Sequence, residues 1–306
     1  MRKFRWLPSL GAAVALLMLS FIAHGQAPSS ISVGAPDTLP AVDGLNAKLD
    51  AVGGAWWDSN RSSGFYGASG SFSLPLAHRW GAQLDAAVGS DNGVADIGGA
   101  GHLFWRDPAV GLLGAYVSYA GRVDSLGTNA VHMAGEGQYY WNRWIFSAAV
   151  GVEIVNSTAS VPGWESVQTR FFDAVTAAYY VTDNLQLWAG HRYAYGANAL
   201  ALGLESAVAL GGGRMASLFS DALFAEGGGK GVRGGVRIYF GQRDKTLIER
   251  HRQDDPPAAI QAGGCGFGFH RGANGQCMAN RPGRNATPAP AHPGCWRNEW
   301  GELRCQ

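Results

Sequence analysis

The sequence is poor in charge and has no long apolar run beyond its first residues. Only 15% of its 306 residues are Asp, Glu, Lys or Arg, while Trp, Tyr and Phe number 11, 10 and 13. That charge is too low, and the aromatic content too high, for a disordered chain. No apolar run after residue 22 reaches the roughly 18 residues of a membrane-spanning helix, which excludes a polytopic helical membrane protein. The 45 glycines show no three-residue period, which excludes collagen. No G-x-S-x-G elbow, P-loop, H-E-x-x-H pair or dinucleotide fingerprint occurs, so no cofactor is expected. Cysteine is scarce as well: four residues, all beyond position 264.

Residues 1–25 read as a secretory signal peptide. Arg2, Lys3 and Arg5 precede an apolar stretch from Leu10 to Ile22, and Ala23-His24-Gly25 supplies small residues for cleavage. An uncleaved N-terminal anchor is the alternative. Without this segment 21 basic and 23 acidic groups remain, a net charge of −2. Residues 26–240 hold 12 basic and 17 acidic groups, and residues 241–306 hold 9 and 6. A body of net charge −5 is a poor phosphate binder, so nucleic acid is not an expected partner.

Residues 26–44, rich in Pro, Ser and Ala, read as a linker. From 45 to 240 the pattern has period two. Leu45, Ala47, Leu49 and Ala51 alternate with Asn46, Lys48 and Asp50; Trp80, Ala82, Leu84 and Val88 with Gln83 and Asp85; Val232, Val236 and Ile238 with Arg233 and Arg237. Such alternation marks strands, and about twelve segments show it. Five connections are tight, around Ala77-His78, Asp107-Pro108, Asn142-Arg143, Asp183-Asn184 and Gly211-Gly212-Gly213. Most of the others are longer: 58–63, 89–94, 120–129, 155–168 and 226–231, with 196–198 short. Short turns alternating with longer loops are the habit of a transmembrane barrel, and an even strand count puts both termini in the periplasm. Trp80, Trp105, Trp141, Trp144 and Tyr180 adjoin tight turns on the apolar parity, the place of an interfacial aromatic girdle. The expected fold is all-β: an antiparallel up-and-down transmembrane barrel in contact with outer-membrane lipid. A soluble secreted barrel shows the same alternation with its faces exchanged.

Three segments, Gly101-His102-Leu103-Phe104-Trp105-Arg106-Asp107-Pro108, Gly190-His191-Arg192-Tyr193 and Tyr239-Phe240-Gly241, resemble uncharacterised proteobacterial outer-membrane β-barrel proteins of porin-like type. So does Asp244-Lys245-Thr246-Leu247-Ile248-Glu249-Arg250-His251-Arg252 with Asp254-Asp255-Pro256. The resemblance covers about residues 45–257 and implies an outer-membrane location. Such barrels usually end on an aromatic residue; here Phe240 is followed by 66 more residues.

Residues 241–257 read as a short helix capped by Asp244 and ended by Asp254-Asp255-Pro256-Pro257, with Arg250, His251 and Arg252 at its C-terminal end. A solvated stub closing the barrel floor is the expectation, a plug or docking helix the alternative. In the tail, 258–306, Cys265, Cys277, Cys295 and Cys305 are expected as disulfides 265–277 and 295–305 of an exported chain. A zinc site with His270 or His292 is disfavoured because C-x₂₋₄-C spacing is absent. The aromatic and Arg content of the tail suits peptidoglycan contact.

On the polar parity, Asp50, Asp85, Asp96, Glu136, Glu153, Asp173 and Glu205 face Lys48, Arg106, Arg192, Arg233 and Arg237, with His102 and His132 among them. A polar network filling the lumen is the expected role. General-base catalysis by either histidine is the alternative. The resulting expectation is a structural or narrow, slightly cation-favouring barrel with no catalytic or metal residues.

Overall fold

A computed structural model describes residues 38–57, 62–91, 93–123, 128–157, 167–194, 197–226 and 228–255, and the backbone of four short tail strands. The expected signal peptide and most of the expected linker lie outside the described residues. Twelve strands follow one another: β1 (Asn46–Trp57), β2 (Ser62–Ala77), β3 (Trp80–Asp91), β4 (Val94–Asp107), β5 (Gly111–Arg122) and β6 (Thr128–Trp141), then β7 (Trp144–Ser157), β8 (Val167–Thr182), β9 (Leu185–Ala194), β10 (Ala197–Gly211), β11 (Arg214–Ala225) and β12 (Lys230–Phe240). Each pairs antiparallel with its sequence neighbours, and β1 pairs with β12 from Ala47↔Phe240 to Trp57↔Lys230, closing the barrel. Closure matters because an open edge would leave backbone donors and acceptors unmet.

Which parity faces outward is now explicit. Leu84, Val88, Leu113, Val150, Leu202 and Leu218 are exposed, at 42–69%. Gln83, His102, Glu153 and Ser73 are buried, at 0–2%. A soluble barrel would reverse this, because burying large apolar side chains is its main source of stability. An apolar exterior around a polar interior matches lipid as the outer solvent.

The five tight turns occupy one end. Asn142 takes a left-handed φ of 50°, which Asn tolerates. Gly213 has a φ of 76°, and a β-carbon there would sit 2.1 Å from the carbonyl oxygen of Gly241. At the other end the connection expected at 89–94 is shorter, because β3 and β4 stay paired out to Asp91↔Val94. Trp80, Trp105 and Trp141 stand outward beside the turns. Tyr180 does not: it is wholly buried and points inward, and Tyr179 takes the outward place. The aromatic pair straddles the parity boundary, so one miscounted residue exchanges the two.

The helix α1 spans Leu247–Gln253. Its N-cap is Thr246 rather than Asp244, in a capping box with Glu249. Asp244 instead accepts the Gly213 N–H at 2.7 Å. The expected solvated stub is corrected too: Leu247, Arg250 and Gln253 are buried. In the tail, β13 (Phe269–Arg271) pairs with β14 (Cys277–Ala279), and β15 (Cys295–Arg297) with β16 (Leu303–Cys305), with Cys295 opposite Cys305. Cys265 lies outside the described residues, as do the side chains of the other three.

Candidate functional site

Antiparallel register carries inward side chains of neighbouring strands to the same height, which gathers the charges into clusters. Asp50 lies directly across from Arg237. Arg237 donates to it through Nε and Nη2 at 2.7 and 2.9 Å, and to Glu205 through Nη1 at 2.9 Å. Glu205 also accepts from Ser217 at 2.6 Å and Tyr239 at 2.7 Å. Arg233, opposite Asp221, donates its Nε to both carboxylate oxygens at 2.8 Å. A second group joins β3, β4 and β6: His102 meets Asp85 through Nε2 at 3.1 Å and Glu136 through Nδ1 at 2.9 Å. A third is linear: the Ser118 hydroxyl meets His132 Nδ1 at 3.3 Å, and His132 Nε2 meets Glu153 at 3.0 Å. Asp96 and Arg192 also stand on the inward parity, Asp96 buried and Arg192 beside a cavity.

Two of the expected lumen residues have other roles. Asp173 faces outward. Its neighbours in register are Val150 and Tyr193, and it meets His191 Nδ1 at 3.0 Å. His191 Nε2 continues to Asn198 at 3.2 Å, and Asn198 donates to Glu226 at 2.8 Å. A carboxylate on the apolar parity is the case in which residue polarity misreports the facing. Arg106 is inward and wholly buried, but it donates to the backbone carbonyls of Ala41 and Gln253, so it ties the segment before β1 and the end of α1 to the barrel.

Within the lumen lies a cavity of about 220 Å³. Arg192, Asp221 and Arg233 border it toward the loops; Lys48, His251 and Asp255 border it toward the turns. Its floor includes His251 of α1 and Asp255 just beyond it. The His251 ring sits between two phenols, with Nδ1 2.6 Å from the Tyr180 hydroxyl and Nε2 2.9 Å from that of Tyr239. Leu247, wholly buried, packs in a cluster with Tyr140, Ile145, Tyr180, Met215 and Tyr239. Nothing in the sequence marks Asp255 or His251 as lumen residues, because only the return of the chain after β12 brings them there. Tyr180 was within reach of a strict parity count, and Tyr239 shares the polar parity of Arg233 and Arg237 in the sequence. Among the described residues no group of three His, Cys, Asp or Glu side chains is placed to hold a metal ion.

The floor carries two shifted groups of opposite sense. Burial lowers His251 from 6.5 to about 4, with Arg237, Lys48 and Arg250 acting in the same direction and Glu205 against it. Burial raises Asp255 from 3.8 to about 6, helped by Asp254 and opposed by Lys48, Arg250 and Arg106. The His251 contribution to docking of α1 is complete above 6.5 and is lost as pH falls through about 4. The Asp255 contribution is complete below 3.8 and is lost as pH rises through about 6. The two largely offset, so docking should vary little between about pH 4 and 6. His251→Gln should leave the Asp255 trend alone, so that α1 tightens as pH falls. Asp255→Asn should make it loosen. Amide exchange over Leu247–Gln253, corrected for intrinsic rates, reads both; equal slopes in the two variants would refute the offset.

No protein-family model and no curated protein matches the chain. Matching solved structures include the translocator domain of the autotransporter NalP from Neisseria meningitidis, 13% identical with a TM-score of 0.43, over 75% of this chain and 95% of that one. The COG4313 outer membrane channel from Pseudomonas putida F1 is 12% identical with a TM-score of 0.45, over 68% of this chain and 99% of its own. The NanC porin is 13% identical with a TM-score of 0.44, over 61% and 98%.

Proposed function

We propose that this protein is an outer-membrane barrel with a narrow lumen for passive passage of small polar solutes, its tight turns and both termini on the periplasmic side. The observation that carries this reading is a polar lumen with a cavity of about 220 Å³, enclosed by an apolar outer wall. Arg237, Arg233, His102 and His132 are tied to acids one or two strands away along the inner wall, and the lumen cavity is only about 220 Å³, so the free bore is small. With Asp173 outside, the inward acids among the described residues, Asp50, Asp85, Asp91, Asp96, Glu136, Glu153, Glu205 and Asp221, still outnumber the inward bases Lys48, Arg106, Arg122, Arg170, Arg192, Arg233 and Arg237. A field of that sign concentrates cations. In planar bilayers the purified chain should show a small, slightly cation-favouring conductance. Large unselective currents would refute the filled lumen. For orientation, a cysteine at Asp183 in a chain with its native cysteines replaced by Ser should resist an impermeant thiol reagent on intact cells, and one at Ser160 should label. The reverse pattern would invert the barrel.

One observation favours a second reading. Ser118, His132 and Glu153 form the acyl-transfer sequence of nucleophile, base and orienting acid. Against it, β5 is paired along both edges, so its backbone donors are committed to the sheet rather than to an oxyanion, and Ser118 is buried. Lipid or peptide hydrolysis abolished by His132→Ala, without any conductance, would reverse the ranking of the two readings.

A further inference from the structure

The lumen cavity ends on a piece of chain that belongs to no strand. α1 reaches three of the five tight turns through polar contacts. The Ile248 N–H donates to Asp183 O at 3.1 Å, Leu247 N–H to the Asn184 side chain at 3.0 Å, and Arg250 Nη2 to Gly213 O at 2.6 Å; Arg252 donates to Asn142 O. Asp254, wholly buried, accepts from Lys245 at 2.6 Å and from the Asp43 N–H at 3.1 Å. The wholly apolar contribution is small: Leu247, with Ile248 packed against its cluster.

The docked state is also incompletely satisfied. Among the described residues, both carboxylate oxygens of Asp255, Nε and Nη1 of Arg250, and Oδ1 of Asn46 are buried without a hydrogen-bond partner. Each of these atoms would meet water if α1 left, so release recovers solvation that docking forgoes. A helix of seven residues does not persist alone in water. Once undocked, α1 would therefore unravel, and the chain between Phe240 and Asp255 would become a slack tether. An order–disorder step of this kind opens the floor without disturbing the twelve-strand ladder.

We propose that α1 is a displaceable plug: docked, it closes the tight-turn mouth of the lumen, and by melting it opens the pore. This rests on the pore reading above. Solutes in the cavity touch the plug directly, since His251 and Asp255 form part of the cavity wall.

The test uses the full chain in planar bilayers. In a background with the four native cysteines replaced by Ser, Ile248→Cys with Asp183→Cys forms a disulfide that staples the plug, since their backbones already touch. Oxidation should abolish conductance and reductant should restore it. In the opposite direction, Leu247→Asp should raise open-state occupancy by roughly tenfold or more. Lys245→Gln, a milder change outside the strands, should shift it the same way and guards against misfolding of the first variant. Amide exchange over 247–253 should rise in both release variants while the strands stay protected. If the stapled, parent and release chains conduct equally, α1 is no gate and the pore reading survives. If exchange over α1 rises but no variant conducts, the pore reading fails and the gate with it.

Discussion

Leu84→Arg and Val150→Arg should each cost about 2–4 kcal/mol of membrane-inserted stability if their side chains sit near the midplane. Both residues are exposed on the outer wall, at 54% and 47%, among other apolar side chains. A guanidinium there must shed water with no partner in reach. The adjacent inward positions are poor controls. Gln83 is wholly buried and donates to Asp85 at 2.8 Å, so a larger cation would break that cluster. At Gly151 a β-carbon would lie 1.9 Å from the Met133 carbonyl oxygen, so any side chain there displaces backbone. Ser147, which borders the lumen cavity, is the appropriate comparison, and Ser147→Lys should insert nearly as well as the parent. Refolding into vesicles followed by urea titration measures all three. Equal losses at Leu84 and Ser147 would mean that the outer wall does not face lipid.

Arg237→Met should destabilise the barrel by about 3–5 kcal/mol, because it leaves two inward carboxylates without their shared cation. Arg237 is the centre of the largest charged cluster, bonded to Asp50 on β1 and Glu205 on β10. It therefore braces strands on either side of the closing seam. Much of the loss is the cost of stranding the two acids rather than the worth of the bonds themselves. Asp50→Asn and Glu205→Gln added to Arg237→Met should then recover a large part of it. The midpoint of the heat-dependent mobility shift on detergent gels ranks the variants. A change within about 0.5 kcal/mol for Arg237→Met alone would show the cluster to be solvated and energetically idle.

Where sequence reading succeeded and where it stopped follows from what each inference needed. Twelve strands and five tight turns were legible because period-two patterning and turn residues are local properties. The pair 179–180 was misassigned because both are Tyr and either could carry the outward place. Asp173 was misplaced because polarity stood in for position; its neighbours Phe171 and Val175 had the parity right. Arg106 was legible as inward but not as an anchor, since its partners are backbone carbonyls far along the chain. The burial of α1 was illegible for the same reason. Its composition, five polar or charged residues behind two apolar ones, suits a solvated stub as well as a polar floor.

By itself the sequence determined the strand count, the turns and the two chemically distinct faces, because alternation and turn propensity act over a few residues. Only the tertiary structure decided which face is inside, which charges meet, and that the chain returns after β12 to occupy the lumen. Those outcomes depend on closure of β1 against β12 and on contacts between residues some 200 apart, such as Asp43 with Asp254. Pairing at that separation leaves no local trace, since neither partner's propensity or pattern changes with the identity of the other.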